Sequence, residues 1–179
     1  MQIERQLKEL EFFLDAVEAF LDQQAERAGS DDERRKLEEY FPNLLRSSLF
    51  VTIYATVENE LNYLCRQLAK GDGLDVEDLR GNGIIRASNY LTKVCRVDFP
   101  QDSEEWSQLK EYNQLRNILV HENGLDKGNH LTALMESGSG LGQDRDGVVQ
   151  LQRQFCPEAL VTTRKFFAQL QAALAEKPE

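Results

Sequence analysis

The chain has 179 residues, 21 Lys and Arg against 31 Asp and Glu for a net charge of −10, 41% apolar residues and 3 cysteines. That composition predicts a single domain over residues 1–179 with an ordinary apolar core, and it excludes a chain too polar to offset its own ordering entropy. The acid excess excludes broad coating of nucleic acid, which depends on Lys and Arg displacing counterions, so any RNA site has to be local.

No stretch reaches the ~18 uninterrupted apolar residues of a membrane helix. Residues 1–10 carry Glu4, Arg5, Lys8 and Glu9 where a secretory signal needs an apolar core. A cytoplasmic protein with no membrane partner is expected. Cys65, Cys95 and Cys156 are odd in number and far apart, which fits neither a disulfide framework nor a paired zinc site, and they are expected as reduced, mostly buried thiols.

Ile3, Leu7, Leu10, Phe13, Leu14, Val17, Phe20 and Leu21 recur at steps of three and four and predict a first helix of about 25 residues with that stripe inward. It stops near Gly29 and Ser30. Asp31, Asp32 and Glu33 then open a short helical continuation to Glu39, and Phe41-Pro42 is expected to break the run. A second helix is predicted over 43–70, with Leu45, Leu49, Thr52, Ile53, Thr56, Val57, Leu61, Leu64 and Leu68 inward and Gly71, Asp72 and Gly73 ending it. After a short acidic piece, 75–79, a third helix is predicted over 84–97. A fourth follows Pro100, with Asp102 or Ser103 as its cap and Gly124 as its stop. Glycines punctuate 124–155, where 131–135 and 148–155 are read as two short pairing strands. Pro157-Glu158 opens a last helix to about Ala175, with Leu160, Val161, Phe166, Phe167, Leu170 and Leu174 as its apolar side. The fold class predicted is all-α: a bundle of four to five helices with a loop or short β-hairpin insertion before the last helix.

Chemistry is constrained by the scarcity of histidine, of which the chain has 2, His121 and His130. No HExxH, ExxH pair, Walker A loop or GxGxxG is present, so no metal site and no cofactor is expected. What stands out is Arg116-Asn117-Ile118-Leu119-Val120-His121 at the end of the fourth helix. Asn117 and His121 are four apart and share a face, whereas Arg116 lies about 140° round the cylinder from His121. Either a long Arg side chain curls toward the His, or two copies of the helix face each other across a common cleft. Arg can hold a phosphate bidentately and His can pass a proton at neutral pH, which are the two needs of metal-free RNA cleavage. The bland alternative is a helix C-terminal His complementing the macrodipole beside a solvated Arg.

The run from Trp106 to Gly124, together with the preceding long helix through Phe50, Tyr54, Glu58 and Leu61, resembles the HEPN superfamily, whose signature is Arg, a polar residue, several further residues and then His. Asn117 fills the polar place. The resemblance implies an all-α bundle, homodimerisation with the motif at the interface, and metal-independent endoribonuclease activity in a toxin or defence role, with an antitoxin or regulatory protein as a further partner. Some members are instead catalytically inactive interaction or nucleotide-binding modules. Some toxin members carry Tyr two residues after the His, where a partner nucleotidyltransferase modifies it; here Asn123 stands there, so that antitoxin type is not implied. On the nuclease reading, Arg116 binds the scissile phosphate, His121 is general acid or base, and Asn117 orients His121 or contacts phosphate.

Two further features bear on RNA. Arg86, Tyr90 and Lys93 fall at i, i+4 and i+7 in a segment, 84–97, with no acidic residue, so an aromatic among cations is expected to stack a base while the cations meet phosphate; a solvated face accounts for the same residues. Glu58 either pairs with Arg116 and supports it or is a plain exposed carboxylate.

Overall fold

A computed structural model describes residues 3–69, 75–128 and 130–175. The first apolar stripe forms helix α1, Ile3–Glu26, and buries Ile3, Leu7, Leu14 and Ala25 against the next long helix and the last one. The stripe is narrower than its spacing predicts: Phe13 and Phe20 are 49% and 57% exposed. Helix α2, Asp31–Arg35, starts where Ser30 Oγ accepts the N–H of Glu33 at 3.2 Å, with Asp31, Asp32 and Glu33 complementing the helix dipole.

Phe41-Pro42 does not break the chain. A π turn, Lys36–Tyr40, carries α2 directly into the central helix α3, Phe41–Leu68, and the N–H of Phe41 reaches back to Lys36. Pro42 has no N–H to donate and its ring would crowd the carbonyl of Glu38, so one residue of extra girth relieves the clash without ending the helix. α3 packs against α1 and against the helices at Gly83–Lys93, Glu104–His121 and Phe155–Ala175. It therefore buries Phe50 and Tyr54 as well as Leu49, Ile53, Val57, Leu61 and Leu64, whereas Thr52, expected inward, is exposed. The expected stop at Gly71, Asp72 and Gly73 lies outside the described residues.

A single 3-10 turn at Val76–Asp78, capped reciprocally by Asp75 and Asp78, leads to α4, Gly83–Lys93. α4 is shorter than the 84–97 predicted, because the N–H groups of Cys95 and Val97 fold back onto Tyr90 and Leu91 at 3.0 and 2.9 Å and Arg96 takes the left-handed conformation, φ 55°. α5, Glu104–His121, is capped by Ser103, whose Oγ accepts the N–H of Trp106 at 3.1 Å. Asn123 and Gly124 are both left-handed, and the N–H of Gly124 closes onto Ile118 at 3.0 Å.

The 124–155 region holds the larger correction. Residues 131–135 are not a strand: both carboxylate oxygens of Asp126 accept backbone N–H groups, from His130 at 3.1 Å and Leu131 at 3.0 Å, and start the short helix α6, Thr132–Glu136. The hairpin pairs β1, Leu141–Gln143, with β2, Val149–Leu151, antiparallel, with Leu141 opposite Leu151. The last helix, α7, is Phe155–Ala175. Its buried side includes Thr162 and Thr163 in place of the expected Val161. Their hydroxyls are satisfied by Gln108 and by the Ala159 carbonyl, both at 2.8 Å.

The core is one cluster tied by aromatic contacts, Phe50 with Tyr112 and Phe155, and Trp106 with Phe99 and Phe166. The fold is thus a helical bundle with a small hairpin before the last helix. The thiols of Cys65, Cys95 and Cys156 are buried. Among the described residues, no helix is long and apolar enough to cross a membrane.

Candidate functional site

The last two turns of α5 carry Arg116, Asn117 and His121, and α5 is fixed there by α3. Tyr54 on α3 donates its O–H to Asn113 Oδ1 at 2.9 Å. One turn further along both helices, Glu58 Oε2 stands 3.7 Å from Nη2 of Arg116, with the two side chains 21% and 31% exposed. Arg116 Nη1 donates to Asn117 Oδ1 at 3.0 Å. Of the two readings of Glu58, pairing with Arg116 is the one the structure has.

Burial pushes the Glu58 carboxyl above the usual carboxylate range, and the Arg116 guanidinium offsets part of that rise. Burial, with Glu58 adding to it, also pushes the Tyr54 phenol up. Glu58 is confined on its other side by Gly83, the first residue of α4, where φ is 52° and an added Cβ would strike Glu58 Oε1.

His121 is the final residue of α5 and is exposed, at the negative end of the helix. Among the described residues its imidazole has no hydrogen bond or ion pair. Arg116 turns to Glu58 and Asn117 instead of curling toward it, and Asn117 gives its carbonyl oxygen to Arg116. A single chain therefore places Arg116 and His121 on one helix end without aiming them at one point.

The basic face of α4 does not form as expected. Tyr90 is 1% exposed and packed in the core with Ile84, Ala87 and Leu91, so its ring is not available to stack a base. The spacing 84, 87, 91 sets the buried side of α4, and Tyr90 falls inside it. Lys93 is exposed, and Arg86 is half-buried with its Nε unpaired. Among the described residues no group of three or more His, Cys, Asp or Glu is arranged to hold a metal ion.

Sequence reasoning missed a cleft of about 1380 Å³ beside the end of α5, walled by Tyr40, Phe41, Leu44 and Val51 on one side and by Leu119, Asn123 and Val148 on the other. Phe41, Leu44 and Ser48 form a ridge between it and an apolar groove of about 530 Å³ over Leu10, Phe13, Val17 and Leu21. A signal was present: the exposed residues of α3 as far as Tyr63 are Phe41, Leu44, Ser48, Thr52, Asn59 and Tyr63, none of them charged, in a chain with 29% charged residues. Comparison with family models, with curated proteins and with solved structures returned no match.

Proposed function

We propose that the protein is a metal-independent endoribonuclease of HEPN type, acting as a homodimer on RNA in the cytoplasm in a toxin or defence role. The observation that carries this reading is the end of α5, where a half-buried Arg116, ion-paired with Glu58 and hydrogen-bonded to Asn117, stands five residues before an exposed His121. Arg116 pairs with the scissile phosphate and stabilises the charge that develops on it. The ribose 2′-oxygen attacks phosphorus as the P–O5′ bond breaks, leaving a 2′,3′-cyclic phosphate and a 5′-hydroxyl. His121 either takes the 2′-hydroxyl proton or gives one to the departing 5′-oxygen. Asn117 contributes by fixing the guanidinium.

A second protomer supplies what one chain lacks. The exposed side chains of α3 from Phe41 to Tyr63, none of them charged, and the Phe41–Leu44 ridge between two concavities support self-association, because two copies of charge −10 repel least where few charges meet and an isologous contact needs ridge and hollow on the same patch; the charged residues that also line the cleft, Arg35, Lys36, Glu39 and Asp144, are of both signs. The cleft on that face runs along Leu119 and Asn123, so a partner bound there lies beside both protomers' helix ends. An antitoxin or regulatory protein would cover the same exposed end of α5.

A catalytically inactive interaction or nucleotide-binding module is the second reading, favoured by the separate aims of Arg116 and His121 and by the acidic surface. RNA incubated with the protein in EDTA decides between them: cleavage to 2′,3′-cyclic phosphate ends that is lost in His121→Ala supports the nuclease. Equal degradation by both proteins, or a stable dimer with no cleavage, refutes it.

A further inference from the structure

We infer that Glu58 is a built-in counter-ion that occupies Arg116 in the resting protein and is displaced by an incoming phosphodiester, so that it sets the anion affinity of the site. This deepens the proposed reading and rests on it only for the identity of the anion as RNA.

The pair is arranged to be exchanged. At 3.7 Å the carboxylate is beyond the 2.7–3.2 Å of a direct N–H···O bond, and the other amino group of Arg116 is spent on a neutral amide oxygen. The guanidinium thus lacks the two-pronged partner that its fork matches, which a phosphate provides. Glu58 Oε1 already occupies the place a Cβ on Gly83 would take, so it has no further room to withdraw toward α4. It is held close enough to neutralise Arg116 and too far to bind it bidentately. The titratable and charged groups facing Glu58 are Tyr54 on its own helix and Arg116 on α5; α4 meets it with the uncharged Gly83. The Tyr54–Asn113 hydrogen bond one turn away keeps α3 and α5 in register when the charge at Glu58 is removed.

Sulfate is the probe, because it stays dianionic across the range in which carboxylates titrate. It is titrated into the full chain while the Arg116 Nε–H resonance, assigned from its loss in Arg116→Lys, is followed by NMR. Glu58→Gln should bind sulfate at least about fivefold more tightly than wild type near neutral pH, the low end of the coupling between two interacting sites. In a His121→Ala background, which removes the imidazole on the same helix, an intact Glu58 should make sulfate binding tighten as pH falls through its raised titration, and Glu58→Gln should abolish that dependence. Equal or weaker sulfate binding by Glu58→Gln, or a pH-independent affinity with Glu58 present, overturns the inference. With RNA, Glu58→Gln should lower KM, whereas loss of a carboxylate that merely positions Arg116 would leave KM no lower and reduce kcat. Tighter sulfate binding by Glu58→Gln together with no RNA cleavage by wild type upholds the counter-ion and refutes the nuclease.

Discussion

Leu151 on β2 donates its backbone N–H to Oδ1 of Asn43 on α3 at 2.8 Å, and the Nδ2 of the same amide donates to the carbonyl of Val149 at 3.2 Å. One side chain thus serves the free edge of the hairpin as a neighbouring strand would, and Arg46 adds a bond to the Leu151 carbonyl at 3.1 Å. Val149 and Leu151 are buried, so removing the amide strands a donor and an acceptor. Asn43→Ala should cost about 2–4 kcal/mol, read as a lower urea midpoint with the slope unchanged.

Gly83 is left-handed and in contact with Glu58. Gly83→Ala should destabilise the protein by more than the roughly 1 kcal/mol of the backbone conformation alone, because the methyl also meets Glu58 Oε1. Combining it with Glu58→Ala should recover the collision and leave the backbone cost. A denaturation double-mutant cycle that came out additive would show that the two residues do not touch.

Burial pushes the thiols of Cys65 and Cys156 up to about 12, from 9.0. In the native protein near neutral pH neither should react with a disulfide reagent, and both should react in denaturant. The sign of the pH effect follows: the unfolded thiols ionise first, so this contribution to stability is complete below about 9 and declines between about 9 and about 12. Alkaline urea titrations of Cys65→Ala and Cys156→Ala should each show a shallower decline than wild type.

His121 is exposed and Arg116 is part of a single, partly exposed ion pair. His121→Ala should change stability by no more than about 0.5 kcal/mol and Arg116→Ala by no more than about 1 kcal/mol. Each should reduce RNA cleavage by at least about 10²-fold, the usual loss of a general acid or base or of an electrostatic partner. Thermal melting run beside the cleavage assay separates these effects.

Sequence alone is enough for the all-α class and the five longer helices of the bundle, for α5 with Ser103 as one of two candidate caps and Gly124 at its stop, and for the spacing that puts Asn117 and His121 on one face. Those features depend on local rules: side-chain periodicity, a hydroxyl that can accept an orphan N–H, and a residue free to turn left-handed. Glu58 was legible as a candidate partner for Arg116 because Glu58 and Glu60 follow a stretch of α3, 47–57, that carries no charge.

What periodicity does not encode is how a helix is turned once it has several neighbours. α3 packs against α1, α4, α5 and α7 and keeps one open face, so Phe50 and Tyr54 are buried and Thr52 is not; α4 is turned so that Tyr90 enters the core and leaves Arg86 and Lys93 without an aromatic between them. The π turn at Lys36–Tyr40, the Asn43 edge of the hairpin and the meeting of Glu58 with Gly83 join groups whose partners lie on other turns or other elements. Each exists because packing closed around it, and a burial pattern of that kind is a property of the assembled core, to which the local repeat contributes only one of several competing faces.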